Sequence, residues 1–157
     1  MKSETLFLKM AVILLAIPVL ALCIFGLPYI AKEAVNHYSL YLLYPVIIGM
    51  YVSAVPFYLV LHQAFKLLCY IDKNKAFSEA SVNSLKHIKY YASIIGIIYG
   101  AGMPLFYLMA ETDDAPGIII IGLALTFAPV VIAVFAAVLQ KLLKNAIDIK
   151  SENDLTI

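Results

Sequence analysis

The chain has 157 residues, 64% of them hydrophobic and only 13% charged, with a formal net charge of +1. Soluble chains average about 25% charged residues, so the composition argues against a water-soluble enzyme or nucleic-acid-binding domain, and the net charge by itself carries no signal. Four apolar stretches, at about 8–31, 40–65, 89–110 and 116–140, take up most of the length. Each exceeds the ~20 residues that a spanning helix needs. The expectation is an all-α integral membrane four-helix bundle, with residues 1–157 forming one four-span domain.

The first stretch follows Lys2 and Lys9, as a secretory signal peptide would, and Leu20-Ala21-Leu22-Cys23 loosely resembles a lipoprotein cleavage box. Its apolar run is too long for a signal core of about 7–15 residues, and a bulky Leu22 before Cys23 suits neither peptidase. It reads as a retained span. The second stretch stays uncharged until Lys66, and its apolar spacing continues through Leu67, Leu68 and Ile71. Asp72-Lys73-Asn74-Lys75 then breaks the helix. Ser78 is a good N-cap, Glu79 suits the positive end of the helix dipole, and Phe77 can staple onto Val82. From Glu79, Val82, Leu85 and Ile88 mark an apolar face opposite Lys86 and Lys89, and this helix runs on into the third span. The second and third helices thus predict a helical hairpin projecting beyond the bilayer. Past the fourth span, Leu142, Leu143, Ala146 and Ile149 extend a helix towards a short tail, 151–157.

Lysine placement sets the topology. All eleven cationic side chains are lysines, and ten fall in the N-terminal segment, the second connection and the C-terminal tail. Lys32, beside Glu33, is the exception, and the acidic third loop (Glu111, Asp113, Asp114) has none. By the positive-inside rule both termini and the hairpin face the cytoplasm, with the two short loops outside. Cys23 and Cys69 are then too far apart to meet, and no disulfide is expected.

Inside the spans, Gly96 and Gly100 form a G-x-x-x-G stripe suited to close helix packing, within the bundle or in a homo-oligomer. Tyr44, Tyr51 and Tyr58 recur every seven residues and share one helix face. That face either packs on a neighbouring helix or lines a small pocket open to the outside. No carboxylate or cation lies in the core of any span, which argues against ion-coupled transport. His37, His62 and His87 are scattered, so neither a metal site nor a cofactor is expected. No nucleophile–base pair or phosphate-binding loop is present, and no catalytic residue is assigned.

The chain ends in Glu152-Asn153-Asp154-Leu155-Thr156-Ile157, and Asp72 to Glu79 reads Asp-Lys-Asn-Lys-Ala-Phe-Ser-Glu. Together these resemble the terminal and inter-helix motifs of DUF2975, a bacterial membrane family of unknown function. Ala80-Ser81 departs from the Glu-Asn-like pair expected after Glu79. The resemblance implies a four-span membrane protein paired with a small helix-turn-helix regulator, so that its partners are the lipid bilayer and a cytoplasmic DNA-binding protein. Phe77, Ser78, Glu152, Asn153, Asp154, Leu155 and Ile157 are the docking residues this reading offers. Self-capping of the bundle by the tail fits the same residues. Two alternatives stand beside this regulatory reading: a small-molecule or peptide transporter or immunity-type protein, and a membrane assembly factor.

Overall fold

A computed structural model describes residues 2–156, and no β-strand occurs among the described residues. Helix α1 (Lys2–Ala21), a π-helical turn (Leu22–Gly26) and α2 (Leu27–Ala34) follow one another without a break. They are followed by α3 (Leu40–Asp72), α4 (Glu79–Asp113) and α5 (Gly117–Thr156). Four helices are therefore long and apolar enough to cross a membrane, the first being Ser3–Ala34. At 33, 35 and 40 residues, α3, α4 and α5 reach about 50–60 Å, against a hydrocarbon core of about 30 Å. All three are longer than a perpendicular crossing of that core requires.

Local chemistry sets the breaks. Asn74 and Asp114 both adopt left-handed backbone, with φ of 59° and 50°, a conformation that short polar side chains tolerate. Each closes a helix in the same way. Lys75 N–H donates to the Tyr70 carbonyl and Asn74 N–H to Ile71, while Ala115 donates to Ala110 and Asp114 to Glu111. This pairing satisfies carbonyls that a helix end otherwise leaves open. α4 begins as the sequence implies: the Ser78 side chain accepts from the Ser81 N–H at 3.4 Å. The Ser78 hydroxyl also donates to the Lys75 carbonyl at 2.5 Å, as does the Ser81 hydroxyl at 3.1 Å. Phe77 keeps 59% of its surface exposed, so stapling over Val82 does not bury it.

The helices pack in chain order, α1 and α2 on α3, α3 on α4, and α4 on α5. α3 and α4 are central, with 22% of each spanning window buried, against 6% for the first rod and 11% for α5. The outer rods expose apolar rows such as Ile13, Leu14 and Ile17 or Val131, Val134 and Phe135. Lipid is the solvent for those faces.

Small residues allow the closest contact, between α4 and α5. A Cβ on Gly96 would lie 3.1 Å from Val130 Cγ2, and one on Gly100 would lie 3.6 Å from Thr126 Cγ2. The G-x-x-x-G stripe thus faces α5 of the same chain. Gly122, which carries no such motif, is tighter still, with Met103 Sδ at 2.8 Å and Phe106 at 3.2 Å from the added carbon.

Candidate functional site

The seven-residue tyrosine repeat is the seam between α1 and α3. The Tyr51 hydroxyl donates to the Cys23 carbonyl at 2.7 Å, and the Tyr58 hydroxyl donates to the Ala16 carbonyl at 2.8 Å. Lys9 Nζ then stands 5.6 Å from the centre of the Phe65 ring. Residues 51, 58 and 65 descend α3 in sevens while 23, 16 and 9 ascend α1 in sevens, the spacing of shallow left-handed helix packing.

The π-turn explains why Cys23 offers its carbonyl. Within it, the Leu27 N–H bonds the Leu22 carbonyl, one residue farther back than in an α-helix. The next donor in line would be residue 28, which is proline and has no N–H. Tyr51 supplies the missing partner. Of the two readings of this face, packing on a neighbouring helix describes Tyr51 and Tyr58, whose hydroxyls bond the first rod, while Tyr44 is 56% exposed. These tyrosines line neither of the cavities described below. Replacing Tyr51 by Phe is expected to lower stability by only ~0.6 kcal/mol, the mean for hydrogen bonds between membrane helices. Denaturant titration in micelles measures this, and a loss above ~2 kcal/mol would require a further role for the hydroxyl.

The same heptad ends at Asp72. Lys9 Nζ lies 2.6 Å from Asp72 Oδ2, with the two side chains 20% and 18% exposed. The hydroxyl of Thr5, itself buried, donates to Asp72 Oδ1. A residue read from sequence as part of a turn thus anchors the start of α1 to the end of α3. The signal was available, since 72 continues the series 51, 58, 65.

This end carries the 73–78 turn, the start of α1 and, because α5 runs antiparallel to α4, the last turns of α5. Here Phe77 (59%) and Leu155 (84%) are strongly exposed, as are Glu152, Asn153 and Asp154. Ser78 is half-buried, its hydroxyl engaged with Lys75 and Ser81. Residues 151–156 continue α5 as helix rather than folding back as a loop. Counting 1.5 Å per residue from the contact of Gly100 with Thr126, α5 runs roughly 12 Å beyond the Ser78 helix start. Ile157 lies outside the described residues.

At the opposite, acidic end an open cleft of about 330 Å³ lies between α2, the 35–39 turn and the end of α4. Tyr29, Ile30 and Glu33 of α2 line it together with His37, Tyr38 and Asp113. The Tyr38 hydroxyl donates to the Asp113 carboxylate. Burial first, and then this carboxylate, push the Tyr38 phenol up to about 12, so at neutral pH it remains a donor. A second cavity, of about 40 Å³, lies between α3 and α4 beside Tyr99, whose hydroxyl shares a 2.8 Å hydrogen bond with Ser53. It has room for a water or two, not for a solute path. Among the described residues no three His, Cys, Asp or Glu side chains are placed to hold a metal ion.

A family described as "Protein of unknown function (DUF2975)" matches residues 28–157. The match opens at Pro28, just after the π-turn, so α1 precedes it. The chain is also 63% identical over 158 residues to the "Uncharacterized membrane protein YoaS" of Bacillus subtilis (strain 168), across 99% of each chain. No solved structure matches it.

Proposed function

We propose that this chain, which belongs to the DUF2975 family of unknown function, is a non-enzymatic regulatory protein of the bacterial inner membrane whose lysine-rich end docks a cytoplasmic helix-turn-helix transcription regulator. The observation that carries this reading is exposed apolar surface outside the four spans expected from the sequence. Phe77, Ile149 and Leu155 are 59%, 66% and 84% exposed, on parts of the chain that lie beyond the expected spans. Apolar side chains left exposed at the end of the molecule outside the expected spans are consistent with a protein contact. The lysine distribution puts that end in the cytoplasm, and the acidic pair Glu152 and Asp154 beside Leu155 suits a basic partner. The charges contribute only ~0–1 kcal/mol each at exposed positions, so the apolar residues are the anchors.

Transport is the weaker reading. Tyr51 and Tyr58 are committed to α1, and the void between α3 and α4 is only about 40 Å³.

The test is a mild-detergent pull-down from native membranes, comparing the full chain with one ending at Lys150. The full chain is expected to retain a DNA-binding protein, identified by mass spectrometry as a helix-turn-helix regulator, and the shortened chain to lose at least ~90% of it. Equal insertion of both chains with no such protein on either would end the docking reading. Retention by both would move the contact from the tail to Phe77 and the 73–78 turn.

A further inference from the structure

The acidic-end cleft is the one ligand-sized cavity described above that no part of the regulatory reading uses. Its volume of about 330 Å³ falls at the lower end of small-molecule sites, roughly 300–1,000 Å³. Glu33 belongs to α2 and Asp113 to the last turn of α4, so the two carboxylates that line the cleft come from different helices. Neither is in an ion pair among the described residues. The neighbouring charges deepen the field, since Glu111 and Asp114 also lie at this end and Lys32 is its one lysine.

The remaining walls are aromatic and apolar. Tyr29 is 67% exposed and presents its ring beside Glu33, while Tyr38 fixes Asp113 through its hydroxyl. An aromatic face beside carboxylates attracts a cation with organic bulk. A bare metal ion is poorly served, because no three of its usual donors converge among the described residues.

We infer that this cleft binds a small organic cation of the amine or quaternary-ammonium class, bridging Glu33 on α2 and Asp113 on α4. The packing gives such a bridge a consequence. α2 packs on α3, and the first rod is the least buried of the four. A cation touching both carboxylates ties that rod directly to α4 and stiffens the molecule across the α1–α3 seam. On the side that the lysine distribution assigns to the cell exterior, the ligand would arrive from outside.

The experiment uses the purified full chain in mild detergent, titrated with tetramethylammonium chloride against sodium chloride at constant ionic strength. The chain has eleven tyrosines and no tryptophan, so tyrosine fluorescence reports directly, with a thermal melt as second readout. Tetramethylammonium is expected to give a saturable change and a higher melting temperature that sodium does not reproduce. Glu33→Gln and Asp113→Asn are each expected to weaken binding about tenfold, and Tyr29→Ala about two- to fivefold. Glu33→Gln keeps the size of the side chain and removes only its charge, and the melt without ligand reports whether the variant folds as the parent does. A response equal to that of sodium overturns the inference, as does unchanged affinity in E33Q and D113N. No partner protein is needed, so failure here leaves the docking reading standing, and failure of docking leaves this one.

Discussion

Replacing Gly96 by leucine is expected to be strongly destabilising to the membrane-embedded part of this protein. A Cβ at that position would already sit 3.1 Å from Val130 Cγ2 and 3.6 Å from the Thr126 carbonyl. One carbon asks Val130 to yield by a few tenths of an ångström. Leucine adds three more atoms against the backbone of α5, where nothing can move without separating the helices. Overpacking of this kind costs about 1–3 kcal/mol in well-packed cores, and the upper part of that range applies because the contact is helix to helix. Gly96→Ala is a milder case, since alanine regains about 1 kcal/mol of helix propensity against the small shift of Val130. Gly49 supplies the control: a Cβ there meets nothing within 4 Å, so Gly49→Ala should raise stability by up to ~1 kcal/mol. Unfolding titrations of the three variants in micelles give the comparison. If G96L matched wild type, α4 and α5 would not be held by this contact. If G96L unfolded normally but changed oligomeric state, the stripe would serve a second copy of the chain.

The four helices were legible because long apolar runs have no alternative in lipid, and their ends because Asp72 to Glu79 spells a turn and a cap. Ser78 and Glu79 were read correctly, since a helix start is decided within four residues. What escaped depends on distant neighbours. The face holding Tyr51 and Tyr58 was visible, but the helix it meets is set by the register of α1 against α3. The π-turn at Leu22–Gly26 leaves little mark in an apolar run, although Pro28 withholds the donor that a regular helix would have used. Gly122 was passed over because no second glycine sits four residues away, yet its neighbours are closer than those of Gly96. At the ends, the exposed Phe77 and Leu155 fall on motifs that the sequence singled out, and residues 151–156 proved helical without an apolar repeat to announce it. The acidic-end cleft was not foreseen, because Glu33 and Asp113 lie 80 positions apart in the sequence and are brought together only by the fold.

Asp72 is where stability and the proposed regulation meet. Asp72→Ala removes both the Lys9 ion pair and the Thr5 hydrogen bond, and leaves the Lys9 ammonium beside Phe65 at the edge of the span. Both charged side chains are about four-fifths covered, so water replaces the lost partner poorly. Hydrogen bonds to charged groups contribute about 1.5–3 kcal/mol each, and D72A should cost about 2–3 kcal/mol. Lys9→Met should cost less, because it removes the charge that D72A strands. The double variant Lys9→Met with Asp72→Leu should recover most of the loss, as apolar replacements of covered ion pairs commonly do. A double-mutant cycle isolates the coupling, and values below ~0.5 kcal/mol would show that Lys9 snorkels to the interface and ignores Asp72. The position adds a functional edge to the energetics. Asp72 is the last residue of α3, directly before the turn that carries Phe77 and Ser78. Releasing it frees the start of α1 while the Lys75–Ser78–Ser81 bonds still hold the turn. If the docking reading is right, D72A should weaken partner retention less than removal of 151–157 does. An equal loss would mean that the partner reads the position of α1 as well as the exposed apolar anchors.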